Sequence, residues 1–398
     1  MWLSLVGILV LLTWLVLGTR AFLGLVRSVD LPHTPSAHIS APSHGLGAVS
    51  GSLDSASVPK VSVILSAKNE ALALPKTLAS LRAQTWPKLE VIAVNDRSTD
   101  QTGKVLDEAK SDWPELQVID IKDLPAGWLG KNHALYKASK QARGEWLLFT
   151  DADVTFSNDA VASAMHHVLE SHRDHLALAP NLVAKGFWLS AVVYLFLYNI
   201  VMVFRPQDAE RPKSSAFVGI GAFNLIRKAT YEAVGGHKAV ALRPDEDLAL
   251  GASIKRAGFH QQFAGGTKLL QVEWYPSLSE MARGLEKNAL APFQYRFSYF
   301  TLGVLMLLLV YDGPFLGAVF ATGWIRFLFA LAFVIELCMF HLTRRYSGVS
   351  VLWGLTLPLA APVLFFILVR SALLCLRRGG IEWRGTFYSL RDLRKGVR

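Results

Sequence analysis

The chain has only two cysteines, Cys338 and Cys375, in 398 residues. Both lie inside apolar runs, so there is neither a zinc-binding spacing nor a disulfide framework. They read as packing residues. Charge is scarce too: 18% of residues are Asp, Glu, Lys or Arg, against roughly 25% in ordinary soluble domains. Acids are scarcer than bases, 31 against 41, which leaves a formal net charge of +10. No polar stretch interleaves bases with aromatic rings, so this charge does not point to nucleic acid. Hydrophobic residues make up 52% and the mean hydropathy is +0.32, too apolar for a soluble protein alone. The composition fits a catalytic or binding domain joined to membrane segments, with the excess Lys and Arg on the cytoplasmic face.

Trp2 to Val26 is almost continuously apolar and long enough to span a bilayer. No Lys or Arg precedes it, and Arg20 and Arg27 follow its core, the reverse of a cleaved signal peptide. The expectation is an anchor over residues 1–27 with its N-terminus outside and the following chain cytoplasmic. Residues 28–57 are rich in Ser, Pro, His and Gly and read as a linker. Its three histidines are too loosely spaced to argue for metal.

From Val58 the pattern alternates between strand and helix. "VSVILSA", "LEVIAVND", "LQVIDI" and "EWLLFTDAD" read as strands. "LPKTLASLRAQ", "STDQTGKVLDEAKS" and "GKNHALYKASKQA" between them read as helices, the second opened by capping residues. This predicts an α/β fold with a mostly parallel, nucleotide-binding sheet over residues 58–298, with transmembrane helices N- and C-terminal to it. Ligands bind such sheets beyond the carboxyl ends of the strands, where Asp96, Asp151 and Asp153 fall.

"GFWLSAVVYLFLYNIVMVF" is long enough to cross a membrane. A single crossing would put the aspartates before it and the acids after it on opposite sides, so it is expected to lie in the interface or on the sheet. Further apolar blocks occupy about 299–320, 324–342 and 351–376, within a membrane region spanning 299–376. Three crossings would put the basic tail at 377–398 outside. Pro358 and Pro362 are therefore expected to break the last block into a re-entrant hairpin that keeps the tail cytoplasmic.

Asp151 and Asp153 sit one residue apart at a strand end. Two such carboxylates can share Mg²⁺ or Mn²⁺, whose other ligands come from substrate phosphate. Asp96 suits a nucleotide base or ribose, or a helix cap with Ser98 and Thr99; Glu70 in "SAKNE" is placed alike. Lys131 near a helix start in "GWLGKNHAL" suits a phosphate. "RPDEDLALGASIKRAGF" reads as a helix beginning near Pro244 and Asp245. Capping explains one acid of the cluster, not three, and Glu246 or Asp247 is a candidate general base. "GIGAFN" is expected to be a glycine turn lining substrate, since it does not follow the first strand of a βαβ unit. The histidines of "MHHVLESHRDH" are expected on a solvated helix and turn. "RGLEKN" puts Arg283 and Lys287 on one helical face, facing lipid headgroups, phosphate or acceptor.

"SAKNE", "VNDRSTD", "GWLGKNHAL", "LLFTDAD" and "DEDLAL", in that order, resemble the family 2 inverting glycosyltransferases of the A-type fold over about residues 58–290. The resemblance implies that Ala67, Glu70, Asp96, Lys131 and Asp151 bind the nucleotide-sugar donor, a UDP-sugar by family habit. It implies that Asp153 binds the metal with Asp151, and that Asp247 is the base of a single inverting displacement. "GWLGKNHAL", "RGLEKN" and the tail from Trp383 to Tyr388 resemble the membrane subgroup of carotenoid and hopanoid pathways, which implies a lipid-soluble terpenoid acceptor. The Gln-x-x-Arg-Trp signature of processive polysaccharide synthases is missing, and "MARGLEKNAL" stands in its place. That favours transfer of one sugar over polymer synthesis, and the intact acid set argues against a catalytically inactive scaffold.

Overall fold

The computed structural model describes residues 2–27, 29–31, 58–287, 289–383 and 385–396. The linker histidines fall outside them. In chain order the elements are α1 (Trp2–Arg27), β1 (Val29–Asp30), β2 (Val61–Ala67), α2 (Leu74–Arg82), β3 (Leu89–Asp96), α3 (Thr102–Asp112), β4 (Leu116–Ile121) and α4 (Gly130–Ser139). Next come β5 (Trp146–Asp151), β6 (Val154–Phe156), α5 (Ala160–Glu170), β7 (His175–Ala179), β8 (Asn181–Leu182), α6 (Phe187–Asn199), β9 (Asn224–Arg227), α7 (Lys228–Ala233) and α8 (Gly236–Ala239). Then follow α9 (Glu246–Arg256), β10 (Gln261–Gly265), β11 (Leu270–Val272) and α10 (Leu278–Gly284). The chain closes with α11 (Phe297–Phe320), α12 (Gly323–Ser347), α13 (Leu357–Arg378), β12 (Gly380–Trp383), β13 (Thr386–Ser389) and α14 (Leu390–Gly396).

An eight-stranded sheet runs in the order β1-β10-β7-β9-β5-β2-β3-β4. All its pairs are parallel except those of β9 with β5 and β7. Its first strand falls within the stretch that reads as linker: Val29 and Asp30 pair with Ala264 and Gly265. The central strands β2 and β5 are buried on both faces, which is why they read as unbroken apolar runs. Each fully buried Val, Ile or Leu there contributes roughly 1.5–3 kcal/mol. Glu90 on β3 is a buried acid within this sheet. Burial disfavours its charge, but Lys60 at 2.7 Å, Ser62 and the Arg143 amide hold it ionised, so its pKa is lowered.

Among the described residues, five helices are long and apolar enough to cross a membrane: Trp2–Arg27, Phe187–Asp208, Phe297–Phe320, Gly323–Arg344 and Val351–Arg378. α11 and α12 are joined by a tight turn and pack with α1: Gly7 and Gly18 of α1 bring its backbone against Phe329, Ile335 and Met339 of α12. α6 is wedged between this bundle and the sheet. Tyr198 stacks on Trp14, and the buried cluster around it also contains Ala177, Ala179 and Phe263 from β7 and β10. The break expected at Pro358 and Pro362 does not occur. Pro358 falls in the first turn of α13, where its missing N–H has no partner to lose. Pro362 comes one turn later, and α13 continues unbroken to Arg378. Gly379, with φ 69°, then turns the chain into the β12–β13 hairpin.

The "MHHVLESHRDH" histidines disperse rather than converge. His166 meets the Trp86 ring edge-on, His167 lies 2.8 Å from Gln262, and His175 is fully buried 2.6 Å from Asn224. Burial pushes His175 down to about 4 and His237 down to about 3. Both lie below the unfolded value of about 6.5, so the folded state holds them neutral and the unfolded state takes up protons first. Stability is therefore fully present above about pH 6.5 and declines as pH falls toward the folded values. Thermal unfolding in detergent should show a midpoint that drops between pH 7.5 and 5, with a shallower drop in His175→Gln.

Candidate functional site

Strand register builds the site. Ser66 pairs with Asp151, Ala67 with Asn95, and Asp96 with Ile121, so the carboxyl ends of β2, β3, β4 and β5 finish at one level. Beyond them lies a cavity of about 400 Å³. Glu70, Asp96, Lys131, Asp151 and Asp153 all line it. Ala67 does not: its methyl is fully buried in the core, and its neighbours Ser66 and Lys68 face the cavity instead.

Two loops after β2 and β3 are stitched together. Asn69 Oδ1 accepts from the Thr99 amide at 2.8 Å, Thr102 Oγ1 from the Glu70 amide at 2.9 Å, and Asp100 from the amides of Thr102 and Ala71. Asn69 and Arg97 take φ values of 56° and 55°, left-handed conformations that asparagine tolerates and arginine rarely adopts. Asp96 is not a helix cap, as its position also allowed. Its carboxylate is taken by Arg97 at 2.8 and 3.1 Å, while Asp100 Oδ1 accepts from the Thr102 amide at the start of α3 at 2.9 Å.

Each residue at the start of α4 has a separate task. Gly130 leaves no room for a Cβ, because Asp96 Oδ2 and Arg97 Nη2 occupy that space. Lys131 Nζ sits 2.6 Å from Asp151 and 2.6 Å from Glu246. Burial alone would lower its pKa, but Asp151, Glu246 and Asp247 outweigh burial and keep it charged. Asn132, fully buried, donates to the carbonyls of Val240 and Arg243, each at 2.8 Å, and so ties α4 to the loop before α9.

The three acids opening α9 have three different surroundings. Asp245 stands at the N-cap of α9, the expected helix start, but its carboxylate pairs with Arg243 at 2.6 Å and makes no side-chain cap. Glu246 is buried and consumed by Lys131. Asp247 accepts from its neighbour, the Leu248 amide, at 2.8 Å, and borders a water-sized void shared with Lys131, Gly221 and His237. Burial, reinforced by Glu246, raises its pKa to about 7. Asp153 is raised likewise, first by burial and then by the charges of Asp151 and Glu70.

The "GIGAFN" turn packs against these acids rather than lining the larger cavity. A Cβ on Gly219 would collide with the Asp247 backbone, and one on Gly251 of α9 with the Val218 carbonyl. A Cβ on Gly221 would lie 2.7 Å from Asp151 Oδ2 and 3.5 Å from Asp247 Oδ2. Thr150 Oγ1 holds the turn from below by donating to the Ala222 carbonyl at 2.8 Å.

Several cavity residues were not visible as such in the sequence: Arg97, Trp274, Tyr275, and Trp383, Thr386 and Tyr388 from the C-terminal hairpin. Arg97 stood inside a quoted motif and carried the signal of a base beside an acid. Trp274 and Tyr275 bridge two environments. They line the cavity, and the Trp274 ring also lies 4.7 Å from Phe196 on α6. Burial and the charges of Asp153 and Asp151 push the Tyr275 hydroxyl pKa up. Arg283 reaches the cavity too, as its position before the membrane blocks allowed.

Gly219→Ala is expected to cost about 1–3 kcal/mol by forcing two backbones apart. Gly221→Ala, which meets only a side-chain carboxylate, is expected to cost less. Unfolding midpoints of the two variants measured side by side check this order.

Comparison with known proteins matches this geometry. Residues 62–235 match the family described as "Glycosyl transferase family 2". The curated 4,4'-diaponeurosporenoate glycosyltransferase of Staphylococcus aureus is 28% identical over 346 residues, covering 83% of this chain and 88% of that protein. Its counterpart from a bovine strain is 28% identical over 348 residues, covering the same shares. Among solved structures, a mannosyltransferase from Pyrobaculum calidifontis, in complex with GDP-Man and Mn²⁺, superposes with a TM-score of 0.54 at 16% identity. That match covers 93% of this chain and 99% of the mannosyltransferase. Residues 62–235 are therefore a glycosyl transferase family 2 domain, and the chain is built on the glycosyltransferase A-type fold.

Proposed function

We propose that the protein is a membrane-bound glycosyltransferase that moves a single sugar from a nucleotide-sugar donor to a lipid-soluble, terpenoid-like acceptor, with inversion. The observation that carries this reading is one cavity with two kinds of wall. Strand-end acids and bases line one side, and Trp274 and Tyr275 join the other side to the apolar helices. A charged donor fits the first wall and an apolar acceptor fits the second. The relative that acts on a carotenoid acid supports the acceptor class.

Within this reading the donor nucleoside lies by Asp96 and Glu70, and its diphosphate by Lys68 and Lys131. Asp151 and Asp153 fit a hard divalent cation, Mn²⁺ or Mg²⁺. Burial, Asp151 and Glu70 all disfavour the Asp153 charge, so positive charge is what this spot lacks. Among the described residues no group of three or more His, Cys, Asp or Glu side chains forms a metal cluster, so diphosphate oxygens and water would have to complete the coordination. A bound cation would stabilise the nucleoside diphosphate as a leaving group. Asp247 takes the acceptor hydroxyl proton. Glu246, its carboxylate held by Lys131, is the positioning partner instead. A base raised toward neutrality is suited to a hydroxyl acceptor.

The domain reading, with residues 58–298 catalytic and 299–376 membrane-embedded, joins a topology. α11 leads away from the domain and α12 returns, since Tyr346 near its end meets Phe263 of β10 at 4.8 Å. α13 runs back along the catalytic side: Arg370 in its middle pairs with Glu286 at 2.6 Å, and the hairpin after it reaches Gly130. α1, α11 and α12 are then the crossing helices, the N-terminus lies outside, and domain and tail share the cytoplasmic face of the cell membrane. The basic tail suits that face.

The test uses the full chain in detergent. Binding of UDP, GDP and a dTDP control is measured with and without Mn²⁺, for wild type and Asp153→Asn. One nucleotide should bind only with metal, and Asp153→Asn should lose that binding. Absence of nucleotide binding under every condition would sink the reading.

Asp247→Asn should keep nucleotide affinity and lower kcat for a hydroxyl acceptor by about 10²–10⁴-fold. The base works when ionised, so turnover should rise with pH through its raised pKa. The acid limb of kcat/KM should fall above the ordinary carboxylate range of about 4, toward 7. A limb at pH 4 would remove Asp247 from the role.

A further inference from the structure

The C-terminal hairpin lies far outside the matched family region, yet it forms part of the cavity. Register pairs Ile381 with Tyr388 and Trp383 with Thr386, so these four side chains share one hairpin face. Ile381 and Tyr388 are buried in a cluster with Leu129, the residue before α4, and Trp383 packs against the same cluster. Trp383, Thr386 and Tyr388 also line the cavity. On the opposite face Phe387 is 55% exposed. The Tyr388 hydroxyl accepts from the Gly130 amide at 3.4 Å, directly beside the Asp96–Arg97 pair that fills the space over Gly130.

We infer that this hairpin is a donor-binding element: Trp383 and Tyr388 form the wall on which the nucleoside of the donor packs, beside Asp96. This rests on the transferase reading and deepens it. The chemistry is that of an aromatic surface against a nucleobase, which is tolerant of base identity because every base has a π-face. Thr386 on the same face holds the Tyr388 hydroxyl by a side-chain hydrogen bond. The hairpin's position is set from the membrane side. It begins two residues after α13 ends, and Ala372 and Cys375 of α13 and Phe300 and Val304 of α11 belong to its buried cluster. Donor recognition is thereby tied to the assembled helices.

The experiment takes the full-length protein in detergent with Mn²⁺ and whichever of UDP and GDP the wild type binds. Trp383→Ala should raise the nucleotide Kd about tenfold or more, in line with loss of a stacked base. Tyr388→Phe, which loses the hydroxyl shared by Gly130 and Thr386, should raise donor KM several-fold and leave kcat within about twofold, a split expected of lost ground-state binding. Phe387→Ser, on the outer face, should match wild type in both. A photoactivatable azido analogue of the same nucleotide on wild-type protein gives a readout that mutant folding does not affect. The label should map to residues 380–389 and be competed by excess nucleotide. Wild-type Kd in both Trp383→Ala and Tyr388→Phe, or labelling that never reaches the hairpin, would overturn the inference while leaving the transferase reading in place. A wild type that binds no nucleotide would instead remove the transferase reading beneath it.

Discussion

The Lys131 ammonium, 2.6 Å from both Asp151 and Glu246, joins the two halves of the site. One acid ends a strand of the central sheet, and the other opens a helix nearly a hundred residues later. Both would repel each other, and Asp247 beside them, without the cation between. Removing one member of such a buried set leaves uncompensated charge, typically a cost of about 3–5 kcal/mol. Around this bridge the neighbouring residues are arranged by size: glycine at 130, 219 and 221, where any side chain would collide with an acid or its backbone. Asn132 then fixes the loop before α9, so the distance from strand end to helix start is set twice.

The bridge also sorts the acids by task. Glu246 spends its charge on Lys131, and Asp245 on Arg243. Asp247, next along the helix, is left with a backbone amide and a raised pKa. Three adjacent carboxylates thus have three different partners, a division that comes from tertiary structure rather than from local order.

Local chemistry explains what was legible in the sequence. Doubly buried strands announce themselves as apolar runs, and an apolar run ending in Asp marks the sheet's functional edge, so Asp96, Asp151 and Asp153 were readable at once. The parallel sheet followed from alternating strands and helices. What the sequence hid depends on distant partners. Ala67 ends the right strand, but the pleat turns its methyl into the core while Ser66 and Lys68 face the cavity. Pro358 and Pro362 looked like breakers, and only the start of α13 at Leu357 shows that they fall in early turns. The cavity roles of Trp383 and Tyr388 rest on contacts across 258 residues, beyond any periodicity. α6 was apolar all round because it faces the sheet on one side and Trp14, Tyr311 and Phe340 on the other.

The Gly130–Tyr388 contact has a consequence in time as well as in space. A ribosome releases the strands that carry the acids long before it makes the hairpin, and four apolar helices lie in between. The sheet can fold as it emerges, but its cavity gains its last wall only after those helices have found their places. A chain with those helices unpacked lacks the hairpin wall and leaves Asp96, Asp151 and Asp153 in an open cleft. Completion of the pocket thus reports that biogenesis has finished, and the fold itself keeps half-made molecules from presenting a finished site.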